Sequence, residues 1–137
     1  MRVLIVEDDV ISQNIMRKFF EPYGTCDIAG DGHEALEAYK VSWLKSLPYD
    51  LICMDIMMPN VDGQEALKRI REIEKEMDIK DSERVNVIMT TALDDPRNVF
   101  KALYKGGAVS YIVKPVSKQK LLEEVRKLGL LIPANSK

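Results

Sequence analysis

Four short apolar runs each lead into a residue type that can do chemistry. Glu7, Asp8 and Asp9 follow residues 3–6, Asp55 follows 51–54, Thr90 and Thr91 follow 85–89, and Lys114 follows 109–113. If those runs are parallel strands of one sheet, all these groups meet along a single edge. Crowded carboxylates repel unless a proton or a cation compensates them. An oxygen-only donor set with no histidine or cysteine beside it suits a hard divalent ion such as Mg²⁺. That ion keeps several waters, so one or two carboxylates, a main-chain carbonyl and a phosphate oxygen suffice. Two acids ending an apolar strand are costly without something positive opposite, and Lys114 leaves a partner strand in the matching place. Asp9, just before Ile11, reads instead as a helix cap. Asp55 sits ahead of Met57, Met58, Pro59, Asp62 and Gly63, in which proline and glycine define a shaped loop that holds the carboxylate outward.

The elements that must position these groups follow from hydrophobic periodicity. The four runs are too short for helices and rich in strand-forming residues, and residues 25–29 form a weaker fifth. Between them lie helical patterns. The first carries Ile11, Ile15 and Phe19 with Met16 and Phe20 beside them, and ends at residues 21–24. The second, about 33–46, puts Leu36, Tyr39, Trp43 and Leu47 on one face and is closed by Pro48; Trp43 reads as core or helix cover. The third, about 64–77, aligns Leu67, Ile70, Ile73 and Met77, exposes Lys68, Arg71, Glu72 and Lys75, and runs into a charged stretch, 74–84, that reads as solvated surface. A fourth covers about 96–105 and stops at Gly106 and Gly107, and a fifth covers about 117–128, before Gly129. Residues 132–137 read as a loose end. Strands and helices alternate five times, and the strands are apolar on both faces. The expected fold is a doubly wound α/β domain with a five-stranded parallel sheet and helices on both sides. In such folds ligands gather at the carboxyl ends of the strands.

Composition narrows the function. The 137 residues suit one domain, and 46% hydrophobic with 31% charged residues excludes a disordered polyelectrolyte. A net charge of −2 leaves no cationic field for DNA or RNA. Cys26 and Cys53 form no CxxC pair and read as buried thiols. No secretory leader or membrane span is legible, so a cytoplasmic setting is expected. His33 follows a Gly30-Asp31-Gly32 turn without a second histidine and reads as a surface residue, and the methionines around Asp55 read as core and loop filler.

Four segments, VLIVEDD at 3–9, MDIMMPNVDG at 54–63, TTA at 90–92 and YIVKP at 111–115, together resemble the receiver domain of two-component response regulators. The layout is most similar to stand-alone, chemotaxis-type receivers, and the match covers about residues 2–128. The resemblance implies a flavodoxin-like strand order 2-1-3-4-5, a receiver domain over 1–130 and a C-terminal tail over 131–137. It implies that Asp55 is the phosphoacceptor, served by a histidine kinase or a histidine phosphotransfer protein. It also implies that Asp8, Asp55 and the Met57 carbonyl bind Mg²⁺ while Glu7 orients a metal water, and that Lys114 contacts the phosphoryl oxygens through a cis bond to Pro115. Thr91 matches the switch hydroxyl, with Thr90 as the neighbour that confuses the assignment.

Tyr111 stands at the rotating aromatic, although an ordinary half-exposed strand tyrosine reads equally well. The responsive face would comprise the fourth helix, last strand and fifth helix, about 94–128, and would bind a downstream target protein. The chain would be a monomer or a phosphorylation-dependent dimer, with no nucleic acid or membrane bound. It would act as a signalling switch rather than an enzyme, catalysing only its own phosphoryl transfer. Met57 and Leu93 cannot orient an attacking water by hydrogen bonding, so slow self-dephosphorylation is expected. Three other readings share the architecture. An aspartyl-phosphate phosphatase would need an acid at position 57; a flavin carrier would need a phosphate loop in place of Glu7, Asp8 and Asp9; and a binding-only pseudo-receiver is disfavoured by intact Asp55, Thr91 and Lys114.

Overall fold

The computed structural model describes residues 1–58, 62–92 and 110–130. Five strands, β1 (Arg2–Val6), β2 (Thr25–Ala29), β3 (Leu51–Asp55), β4 (Asn86–Thr91) and β5 (Ser110–Val113), form one sheet in the order β2-β1-β3-β4-β5. Every neighbouring pair is parallel. This is the doubly wound, flavodoxin-like arrangement, with its order reversing beside β1, where ligand crevices form. Helices α1 (Val10–Phe20), α2 (Gly32–Leu44) and α3 (Gly63–Glu76) and a C-terminal helix (Lys118–Lys127) cover the sheet. The fourth helix expected at 96–105 and the tail at 131–137 lie outside the described residues.

Side-chain alternation along the strands splits the core in two. Leu4, Val6, Ile52, Met54, Val87 and Met89 meet Leu36 and Tyr39 of α2 and Leu67 and Ile70 of α3. Val3, Ile5, Leu51, Cys53, Ile88 and Ile112 meet Met16 and Phe20 of α1 and Leu121, Leu122 and Val125 of the C-terminal helix. Covering both faces is what lets the strands be apolar throughout.

The helices begin and end as their sequences dictate. Asp9, Asp31, Asp62 and Ser117 cap the four helices, each accepting from an amide three residues on. Three of the four close by the same paired reversal. After α2, Ser46 adopts φ 58°, its N–H donates to the Trp43 carbonyl, and the Leu47 N–H donates to Ser42. Asp78 and Ile79 repeat those bonds to Lys75 and Glu74, and Gly129 and Leu130 repeat them to Arg126 and Val125.

Several expectations change. The Ile11, Ile15, Phe19 stripe does not face the core: Ile11 is 70% and Ile15 45% exposed, Phe19 is half-buried, and Met16 and Phe20 point inward. The loop that delivers α1 from β1 sets the helix's rotation, which counting apolar residues does not reveal. Helix α2 stops at Leu44, and the reversal at Ser46 leaves Leu47 exposed. Met77 is the exposed C-cap of α3 rather than part of its buried stripe. Asp55, Thr90 and Thr91 are the last residues of their strands rather than residues beyond them. Cys53 is buried as expected, whereas Cys26, on edge strand β2, is half-buried.

The largest correction is Glu74, expected in a solvated stretch and in fact fully buried. It lies seven residues beyond Leu67 and four beyond Ile70, on the buried stripe itself. Its carboxylate accepts from the Tyr39 hydroxyl at 2.7 Å, the Val85 N–H at 2.8 Å and Arg71 Nη1 at 2.7 Å. Arg71, expected on the exposed face, is half-buried by this pairing and also donates to the Val85 carbonyl at 2.9 Å. A buried carboxylate is tolerable because every donor aimed at it is satisfied.

Candidate functional site

The site is assembled at the carboxyl ends of β1, β3 and β5. Glu7 follows β1, and its N–H donates to the Ala29 carbonyl on β2 at 3.1 Å, so the chain leaves the sheet under backbone control. The capping of α1 by Asp9, through the Ser12 N–H at 3.0 Å and hydroxyl at 2.7 Å, turns the chain directly after Asp8. Those two bonds lower the Asp9 pKa, as capping requires.

Asp55 is 5% exposed at the tip of β3 and in register with Thr90 of β4. The turn that follows is tight. The Ile56 N–H donates to the Thr90 carbonyl and the Gly63 N–H to the Ile56 carbonyl, both at 2.9 Å. A Cβ at Gly63 would stand 2.3 Å from the Asp55 carbonyl oxygen, so only glycine permits this approach. The Met57 N–H donates to Asp55 Oδ1 at 3.1 Å, and the Met57 side chain is exposed.

Lys114 reaches in from β5. Its N–H donates to the Thr91 carbonyl at 2.6 Å, and its bond to Pro115 is cis. The ammonium donates to Glu7 Oε2 at 2.7 Å and to Asp55 Oδ2 at 3.1 Å. Oxygens of Glu7, Asp8 and Asp55 lie within 4.8 Å of one another, with Asp8 the exposed member. Burial raises the Glu7 pKa; the Lys114 hydrogen bond opposes it and the Asp55 charge adds to it. Burial works against the Lys114 charge, but the bond to Glu7 and the charge of Asp55 outweigh it and lift the Lys114 pKa above its ordinary value. Among the described residues, Glu7 and Asp55 thus share one ammonium and Asp8 stands beside them, an oxygen-only donor set that fits a hard divalent cation.

Of the residues expected from sequence, Glu7, Asp8, Asp55 and Lys114 are brought together. Thr91 alternates to the opposite face of β4 from Thr90, the side on which Tyr111 packs half-buried against the core. Met57 is adjacent through its backbone, while Pro59 and Leu93 lie outside the described residues. Thr90, the neighbour named with Thr91, is the one that faces the Asp55 side of the sheet. One contributor escaped sequence reasoning: Gln13 donates from Nε2 to the Glu7 carbonyl at 2.7 Å. The signal for Gln13 was its place one turn into a helix that starts right after the acids.

A parallel five-stranded sheet with an acid cluster and a lysine at its carboxyl edge defines a receiver-type signalling domain. The chain belongs to the response regulator receiver domain family, whose model matches residues 3–126. It is 34% identical over 135 residues to Probable histidine kinase 2 of Oryza sativa subsp. indica, covering 91% of this chain but only 12% of that protein's length. It is similar to the structure of the CheX-CheY-BeF3-Mg complex of Borrelia burgdorferi, with TM-score 0.81, 32% identity and coverage of 96% and 90% of the two chains. It is also similar to the Saccharomyces cerevisiae complex of the phosphotransfer protein Ypd1 with the receiver domain of Ssk1, with TM-score 0.79, 31% identity and coverage of 98% and 94%. Among the described residues, no helix is long and apolar enough to cross a membrane.

Proposed function

We propose that this chain is a response regulator receiver, a phosphorylation-driven switch in which Asp55 accepts a phosphoryl group from a histidine kinase or a histidine phosphotransfer protein. The observation that carries this reading is the Lys114 ammonium shared by Glu7 and Asp55 beside the three-carboxylate cluster. The relatives named above, one a histidine kinase and one a receiver bound to a phosphotransfer protein, support the choice of donor.

Asp8, Asp55 and the Met57 carbonyl would hold Mg²⁺, with Glu7 orienting its hydration. When bound, the ion neutralises charge on the phosphoryl oxygens. One Asp55 oxygen forms the new P–O bond as the P–N bond to the donor imidazole breaks, and the imidazole leaves with that electron pair. Positioning and charge neutralisation are all the protein must supply. Lys114 turns from the carboxylates to the phosphoryl oxygens, because the site exchanges one carboxylate charge for a group near −2. Thr91 donates to a phosphoryl oxygen, and Tyr111, on the same face, follows into the vacated space. The face the family resemblance implies, about 94–128, of which residues 94–109 lie outside the described residues, then changes and binds a target protein. Taking such a switch from about 1:99 to 99:1 requires roughly 5.5 kcal/mol of preference for the active state.

The chain works in the cytoplasm as a monomer or a phosphorylation-dependent dimer, and it catalyses only its own phosphoryl transfer and slow phosphoryl loss. The exposed, apolar Met57 beside Asp55 supports a long phosphoryl lifetime, which Met57→Asn combined with Leu93→Glu is expected to shorten. The direct test is incubation with acetyl phosphate or beryllofluoride, with and without Mg²⁺, in wild type and Asp55→Asn. Labelling is expected only with Mg²⁺ and only when Asp55 is present, and labelling independent of either would overturn the reading.

A further inference from the structure

The stretch that leads from β1 into α1 is held at both ends. The Glu7 N–H donates to the Ala29 carbonyl at 3.1 Å, and the Gln13 N–H donates to the Asp9 carbonyl at 2.9 Å. Between these ties the half-buried Gln13 side chain reaches back from α1, and its Nε2 donates to the Glu7 carbonyl at 2.7 Å. That carbonyl and the Asp8 N–H belong to one rigid peptide plane, so a bond to its oxygen fixes the direction in which the Asp8 side chain leaves the backbone. The other two carboxylates of the cluster are placed by Lys114, which donates to both Glu7 and Asp55. Asp8 is the exposed member, and among the described residues its carboxylate has no hydrogen bond or ion pair of its own. Its position therefore rests on its backbone.

Given the reading above, in which the cluster holds a divalent cation, we propose that Gln13 is a positioning residue. By locking the Glu7–Asp8 peptide it sets the Asp8 carboxylate beside that of Asp55 and gives the site a preference for Mg²⁺ over Ca²⁺. Mg²⁺ demands near-octahedral geometry at about 2.0–2.1 Å, whereas Ca²⁺ accepts flexible shells at about 2.3–2.6 Å, so loosening one carboxylate penalises Mg²⁺ more. The test is titration of MgCl₂ and of CaCl₂ into the full chain, followed by backbone amide shifts, which also report that each variant is folded. Gln13→Met keeps the length of the side chain without its donor, and Gln13→Asn keeps the amide but falls short of the carbonyl. Both are expected to bind Mg²⁺ about tenfold more weakly, the typical worth of a group that orients a metal ligand. Ca²⁺ should weaken by no more than about threefold, so the ratio of the Ca²⁺ Kd to the Mg²⁺ Kd falls. A merely structural role for Gln13 would weaken both ions alike, and an unchanged ratio in the two variants would overturn the proposal. Absence of saturable Mg²⁺ shifts in wild type, or Mg²⁺ binding that survives Asp8→Asn undiminished, would instead remove the cation reading and this role with it.

Discussion

Lys114 holds together two carboxylates that would otherwise repel, and the cost of burying one of them appears in the raised pKa of Glu7. A carboxyl whose folded pKa lies above its unfolded value favours the fold at low pH. Its burial cost is present when it is ionised and is relieved as pH falls through the raised folded pKa. Replacing Lys114 with methionine removes the hydrogen bond and charge that hold Glu7 down while leaving the burial that pushes it up. Carbon-detected titration of metal-free Lys114→Met is therefore expected to find the Glu7 midpoint higher than in wild type; an equal or lower midpoint would contradict this account. Gly63 is as exacting in its own way. The atoms a Cβ would strike are backbone, the Asp55 carbonyl oxygen at 2.3 Å and the Ile56 Cα at 2.8 Å, so they cannot swing aside. Gly63→Ala should cost at least about 1–3 kcal/mol in chemical denaturation and displace the Asp55 amide resonance.

Among the elements, Glu74 joins three that no strand ladder connects. Tyr39 reaches it from α2, Arg71 from its own helix, and the Val85 N–H from the segment entering β4. Removing this carboxylate strands a buried hydroxyl and an amide and takes away the counter-charge of Arg71, which keeps its bond to the Val85 carbonyl, so Glu74→Ala is expected to cost about 3–5 kcal/mol in urea unfolding. Tyr39→Phe removes one bond and should cost about 1–2 kcal/mol. Added to Glu74→Ala it should cost almost nothing, because the partner it lost is already gone; full additivity would show that the contacts do not act as one unit. The paired reversals after α2 and α3 matter to the same region. They use Ser46 and Asp78 at φ 58° and 55°, a conformation for which glycine is the usual signal. That is why the end of α2 was placed too late by periodicity alone.

For the molecule as a whole, a cation that binds the folded carboxylate cluster and not the unfolded chain must raise global stability. At Mg²⁺ a hundredfold above its Kd the expected gain is about 2.7 kcal/mol in unfolding free energy. Asp8→Asn should reduce it sharply, and an equal gain in both proteins would place the ion elsewhere. The order of elements, the sheet class and the residues at the strand tips were legible in the chain itself. Apolar runs, caps and turn residues are local signals, and a parallel sheet carries whatever follows each strand to one edge. What only the tertiary structure decided was how each element is turned and what each tip residue meets. The exposure of Ile11 and Ile15 depends on helix rotation, and the interior place of Glu74 depends on Tyr39 and Val85, distant in sequence. Lys114 finds Glu7 across 107 residues and Asp55 across 59, and no local spacing encodes pairings of that range. They exist because burial makes an unpaired charge costly, and only the folded sheet brings the compensating charge within reach.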